Sequence, residues 1–165
     1  MGKLTVLALR VVLALVVIGS LYVQVVMMPL LAADLEDFGP DSPGRRAALV
    51  AIPVLGIVTV QVTLVCVWRL LTMVRKGTVF SDGAFRYVDI IFGAVTAASL
   101  LMFGLAVVLA PGEAVAPGIV LLVCGASLMI AGAALIVLVL RALLAQAVAR
   151  DAEAHHLRSE LDEVI

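Results

Sequence analysis

Charge is the first thing this sequence is short of: only 14% of its 165 residues are Asp, Glu, Lys or Arg, against 64% apolar. Water-soluble domains carry roughly a quarter charged residues, so an ordinary soluble protein is excluded and the bilayer is the better solvent. A mean hydropathy of +1.24 agrees. The net charge of −1 leaves no global basic field, which argues against direct nucleic-acid binding. Cysteine is nearly absent, and Cys66 and Cys124 both fall inside apolar runs, which excludes a disulfide framework. By rise per residue the two differ in depth by roughly 10 Å, too far for a bridge, so both read as small core residues. Glycine-rich phosphate loops, nucleophile elbows and paired buried carboxylates are also missing. With no catalytic residue, metal or cofactor to nominate, the expectation is a non-enzymatic protein.

What is present is a set of long apolar runs. Val11–Leu31 holds 21 residues without a charge, and about 20 such residues cross the hydrocarbon as a helix. It is too long for the apolar core of a cleaved signal peptide, although Leu31-Ala32-Ala33 loosely suits a signal peptidase. Pro29 reads as the approach to the end of this helix. Asp34–Gly44, with four acids, two prolines and two glycines, reads as a turn-rich loop. The second span is Ala47–Trp68, with a kink expected near Pro53 and Trp68 at an interface. The third is Ile90–Ala110, entered from an N-cap at Ser81, with Phe80 and Phe85 at hydrophobic-staple spacing. Pro111–Gly118 is a tight connection, and the fourth span covers about Ala114–Leu140. Gly118, Gly125 and Gly132 recur every seven residues, a small stripe expected to face the other helices.

The basic residues orient the chain. The segment Arg69–Asp89 carries Arg69, Arg75, Lys76 and Arg86 between two apolar runs. Of the eleven Lys and Arg, all but Arg45 and Arg46 fall at the N-terminus, in this segment or in the tail, which leaves nine on one side. Because Lys and Arg favour the cytoplasmic side, both termini are expected there, and acidic neighbours are expected to pair with Arg45 and Arg46. The fold class is thus an all-α four-helix transmembrane bundle over residues 1–140, with a cytoplasmic helical tail over 141–165. The tail places Leu140, Leu143, Ala147, Ala154, Leu157, Leu161 and Val164 at heptad-like positions. Arg150 and the alanines weaken that seam, so it calls for a partner.

Three groups of residues compete for a functional role. Gln24 and Gln61 are the most polar groups within the spans. Measured along the apolar runs they lie at different depths and are not expected to meet. Each then bonds to a neighbouring backbone group or hydroxyl such as Thr96 or Ser99, or lines a solute site between spans one and two. Glu153, His156 and Glu160 share a helical face, but i,i+4 pairing of His156 with Glu160 and Arg158 with Asp162 accounts for the same residues without a metal. Leu157, Glu160, Leu161, Asp162, Glu163 and Val164 combine an apolar seam with acids suited to a basic partner, or to a second copy of the chain.

The turn Gly77-Thr78-Val79-Phe80-Ser81 and the closing Glu160-Leu161-Asp162-Glu163-Val164-Ile165, set among four spans, resemble the bacterial membrane family called domain of unknown function 2975. The resemblance implies a bacterial inner-membrane protein. It carries over no catalytic residue. It further implies a regulatory pairing with a cytoplasmic helix-turn-helix protein, since members often occur beside such regulators. A regulatory or scaffolding role through the tail is therefore the leading expectation, with a small-solute or ion transporter or channel as the alternative.

Overall fold

A chain in hydrocarbon has no water to satisfy its peptide groups, so it must close its hydrogen bonds within helices. The computed structural model describes residues 3–38, 42–75, 82–111 and 115–164, and among them no residue is in a strand. The elements are α1 (Lys3–Tyr22), a π-helical turn (Val23–Met27), α2 (Met28–Phe38), α3 (Pro43–Arg75), α4 (Asp82–Leu109) and α5 (Pro117–Val164). Four stretches are long and apolar enough to cross a membrane: Leu7–Asp37, Pro43–Met73, Phe85–Leu109 and Pro117–Ala154. The first of these is α1, the π turn and α2 in succession. The spans alternate in direction, so α1 starts, α3 ends, α4 starts and α5 finishes at one end, called here the tail end. The other is the turn end.

The helix boundaries depart from the sequence reading in ways that local chemistry explains. Span one does not stop near Pro29 but continues to Phe38, so half of the expected loop Asp34–Gly44 is helical. Pro29 lacks an N–H, and its ring would crowd the Val25 carbonyl in a regular α-helix. Directly before it the helix widens, and the Met28 N–H bonds to the Val23 carbonyl five residues back. Such a π turn gives the ring room without ending the helix. Span two starts at Pro43 rather than Ala47. Ser42 is its cap: the Arg45 N–H lies 3.2 Å from Ser42 Oγ, and Pro43 stands at the first helical position, where a missing N–H costs nothing. Helix α5 also opens on a proline, Pro117, without a side-chain cap, and the Ile119 N–H bonds to the Ala116 carbonyl at 2.9 Å. The Ser81 cap and the Phe80 staple fall outside the described residues.

Backbones approach in chain order. Helix α3 packs along α4 and α4 along α5, α1 and α2 lean more lightly on α3, and α1 and α5 make at most marginal contact among the described residues. The arrangement is therefore more open than a closed ring of four helices. A cavity of 350 Å³ lies where the ring would close, reaching from Ser20 of α1 past Pro53 and Gly56 to Ile130 of α5. The buried side chains are mostly small: Cys66, Ser99, Ala106, Ser127 and Ala134, with Leu13. This is the packing expected where lipid supplies no hydrophobic drive and close approach must supply the attraction.

The seam of α5 is not the predicted glycine stripe. Gly118 and Gly125 are exposed, and a Cβ on either, or on Gly132, would meet nothing within 4 Å. The stripe that meets α4 lies two residues on and runs through Ser127, Ala134 and Arg141, each buried or half-buried. Ser99 Oγ donates to the Ser127 carbonyl at 2.9 Å across this seam. At the tail end Arg141 and Asp89 form an ion pair, with Arg141 Nη2 donating to Asp89 Oδ2 at 2.9 Å and Arg141 Nε close to Oδ1. At the turn end Arg45 forms no ion pair with an acid among the described residues. Its Nε donates to the Val108 carbonyl at 3.1 Å and its Nη2 to the Pro111 carbonyl, so it caps α4, whose terminal carbonyls attract a cation.

Helix α5 passes Leu140 without a break and is 48 residues long. At about 1.5 Å per residue that is about 72 Å, against a hydrocarbon core of about 30 Å.

Candidate functional site

Threonines dispose of their hydroxyls within their own helices. Thr59 donates to the Gly56 carbonyl at 2.7 Å, Thr63 to Thr59 at 2.9 Å and Thr96 to Phe92 at 2.8 Å. Thr96 and Ser99 are thereby committed elsewhere and are not the partners of the glutamines, as the sequence reading had allowed.

Instead Gln24 and Gln61 meet. Gln61 Nε2 donates to Gln24 Oε1 at 3.0 Å and to Ser20 Oγ at 3.1 Å, using both of its hydrogens. The Ser20 hydroxyl passes its own proton to the Val17 carbonyl at 2.8 Å, so it both accepts and donates. Gln24 lies inside the π turn and Gln61 is half-buried in α3. The expected mismatch in depth came from counting along the apolar runs. Counted from the true helix ends, Gln24 is fourteen residues before Phe38 and Gln61 eighteen after Pro43. That difference of four residues is about 6 Å, within reach of two long side chains. A signal was available in the sequence, because Ser20 and Gln24 stand at i and i+4 on one helical face.

The trio separates two apolar spaces, the cavity that Ser20 lines on its turn side and a groove of 380 Å³ between α1 and α3 on its tail side. Carboxamides and a hydroxyl offer hydrogen bonds but no acid, base or strong nucleophile, so this arrangement can bind or latch rather than react. Among the described residues no group of three or more His, Cys, Asp or Glu is placed to hold a metal ion. Cys66 is buried, Cys124 half-buried, and both are free thiols.

At the tail end of the same helix pair, the Arg10 guanidinium lies 5.6 Å from the Trp68 ring centroid, and its Nη2 donates to Thr72 Oγ1 at 3.3 Å. A cation over an indole face contributes about 0.5–1 kcal/mol at an exposed site.

The tail candidates divide. Leu140 and Leu143 are 59% and 55% exposed, and Ala147 and Ala154 are exposed too, so the heptad-like stripe has no partner within the described chain. Leu157, Glu160, Leu161, Asp162, Glu163 and Val164 lie on the last turns of α5, and their side chains, like that of His156, fall outside the described residues.

Residues 30–165 match the family described as protein of unknown function (DUF2975). No curated protein and no solved structure matches the chain.

Proposed function

From the chain's membership of that family, whose description assigns no activity, we propose that this multi-pass membrane protein is a non-enzymatic anchor that presents its C-terminal helix to a partner at the cytoplasmic face of a bacterial inner membrane. The observation that carries this reading is the uninterrupted course of α5. Beyond Leu140 it extends another 24 residues, 141–164, or about 36 Å of helix. The Asp89–Arg141 ion pair ties its exit point to α4. A helix so fixed at its base holds its outward stripe of Leu140, Leu143, Ala147 and Ala154 in a defined direction. Acids at Glu153, Glu160, Asp162 and Glu163 suit a basic partner, and positive charge at the tail end favours the cytoplasmic side. By likeness to the family, that partner is a soluble helix-turn-helix regulator, with a second copy of the chain as the competitor for the same stripe.

Affinity capture from native membranes tests this, using the whole chain and a version truncated after Arg150. A soluble regulator held by the first and lost by the second supports the anchor. Capture of the same proteins by both, or truncation that only dissolves an oligomer, removes it.

The Ser20–Gln24–Gln61 contact favours a second reading, transport of a small solute, because broken helices with polar groups near mid-membrane are how secondary transporters build their sites. Solute or proton flux in liposomes that disappears with Gln61→Leu would put this reading first.

A further inference from the structure

On the tail side of Gln61, α1 and α3 part to leave the 380 Å³ groove lined by Leu13, Val17, Leu64 and Val65 and closed at its tail end by Trp68 and Arg69. Its walls are hydrocarbon, and its mouth is basic. Arg69 is exposed there, and Arg10 of α1 reaches the same end of α3, held over the Trp68 ring and bonded to Thr72. Among the described residues no carboxylate forms an ion pair with either guanidinium. The Trp68 indole at this end of the groove marks the level of the membrane interface, where an amphipathic ring is favoured.

Each half of this feature selects against a different ligand. A free inorganic anion would use the guanidiniums but gain nothing from an apolar groove. A zwitterionic lipid would use the groove, but its own cation offsets the attraction of its phosphate to arginine. An amphiphile with a net negative head uses both. We propose that the α1–α3 groove is a binding site for an anionic phospholipid of the leaflet at the tail end, with one acyl chain along Leu13, Val17, Leu64 and Val65 and the phosphate against Arg69 and Arg10. Arginine presents a planar fork of donors suited to phosphate oxygens, and basic pockets between transmembrane helices hold such head groups. The bound lipid would also fill the gap beside the most lightly packed span.

Native mass spectrometry of the purified full-length protein in detergent tests the proposal, titrating phosphatidylglycerol and phosphatidylcholine separately onto wild type, Arg69→Gln and Val65→Trp. Both positions are exposed, Val65 at 55%, so neither change cuts into the core. Wild type is expected to retain phosphatidylglycerol over phosphatidylcholine. Arg69→Gln should weaken phosphatidylglycerol about fivefold, the effect of one basic residue near an anionic surface. Val65→Trp, which fills the groove and leaves both charges, should weaken it at least as much. Equal retention of the two lipids overturns the proposal, as does an unchanged affinity in either variant. Displacement of the lipid by millimolar inorganic phosphate would assign the guanidiniums to a free anion and overturn it too.

Discussion

Gln61 of α3 donates to Gln24 of span one at 3.0 Å, from the middle of one membrane-spanning helix to a π-helical turn in another. In hydrocarbon, polar side chains that meet in this way hold helices together, with coupling energies that average about 0.6 kcal/mol and reach about 1.7. In a double-mutant cycle of Gln24→Leu and Gln61→Leu, followed by reversible unfolding in mixed micelles, the losses should be non-additive by about that range. Strict additivity would mean that the two amides do not depend on each other.

The π turn presents Gln24, and Pro29 accounts for it. Replacing Pro29 by Ala removes the ring and restores an N–H, which allows Val23–Met27 to wind as a regular helix and carries Gln24 around the axis. With cysteines at positions 24 and 61, a short bifunctional thiol reagent should cross-link the two spans when Pro29 is present and do so markedly less after Pro29→Ala. Equal yields would detach the π turn from the proline.

The register of α5 makes opposite predictions at neighbouring positions. Ser127 is 7% exposed in the α4 seam, so Ser127→Leu should overpack it and cost about 1–3 kcal/mol. Gly125→Ala adds a Cβ that meets nothing within 4 Å and removes a flexible residue from mid-helix, for a gain of about 0.5–1 kcal/mol. Thermal unfolding in a fixed detergent separates the two. A seam through Gly125 would reverse the order.

At the base of the projecting helix, Asp89 and Arg141 are 48% and 41% exposed at the side chain, so solvent screens their attraction. Asp89→Asn should cost no more than about 1 kcal/mol, and the loss should shrink in molar salt. The exchange Asp89→Arg with Arg141→Asp should recover most of it. A larger loss that salt does not touch would point to packing at this position instead of charge.

The four crossings were legible because a bilayer demands about 20 apolar residues in a row, and few other structures write that pattern. The ends of the helices were harder, because Ser42 and Pro43 serve equally well in a turn and in the first turn of a helix. Pro29 misled for a related reason: a proline signals a break, and nothing local announces that a widened turn will absorb it. That error in where span one ends carried into the depth assigned to Gln24, and so hid its meeting with Gln61. The seam of α5 was ambiguous, since Gly125, Ala126 and Ser127, then Ala131 to Ala134, allow several small-residue stripes to be drawn seven apart. The choice among them was made by Ser99 and by the Asp89–Arg141 pair, which are long-range contacts.

The light packing of span one has a consequence for how the protein comes together in the membrane. Helices α3, α4 and α5 form two successive hairpins, each closed across a short connection, so they can find one another as soon as they emerge from the insertion machinery. The first span enters the bilayer before any of them, and of these three helices the one it packs on is α3. It then docks on that one neighbour, through the glutamine contact and the Arg10 contacts with Trp68 and Thr72. Among the described residues it is the span whose departure would disturb the fewest contacts.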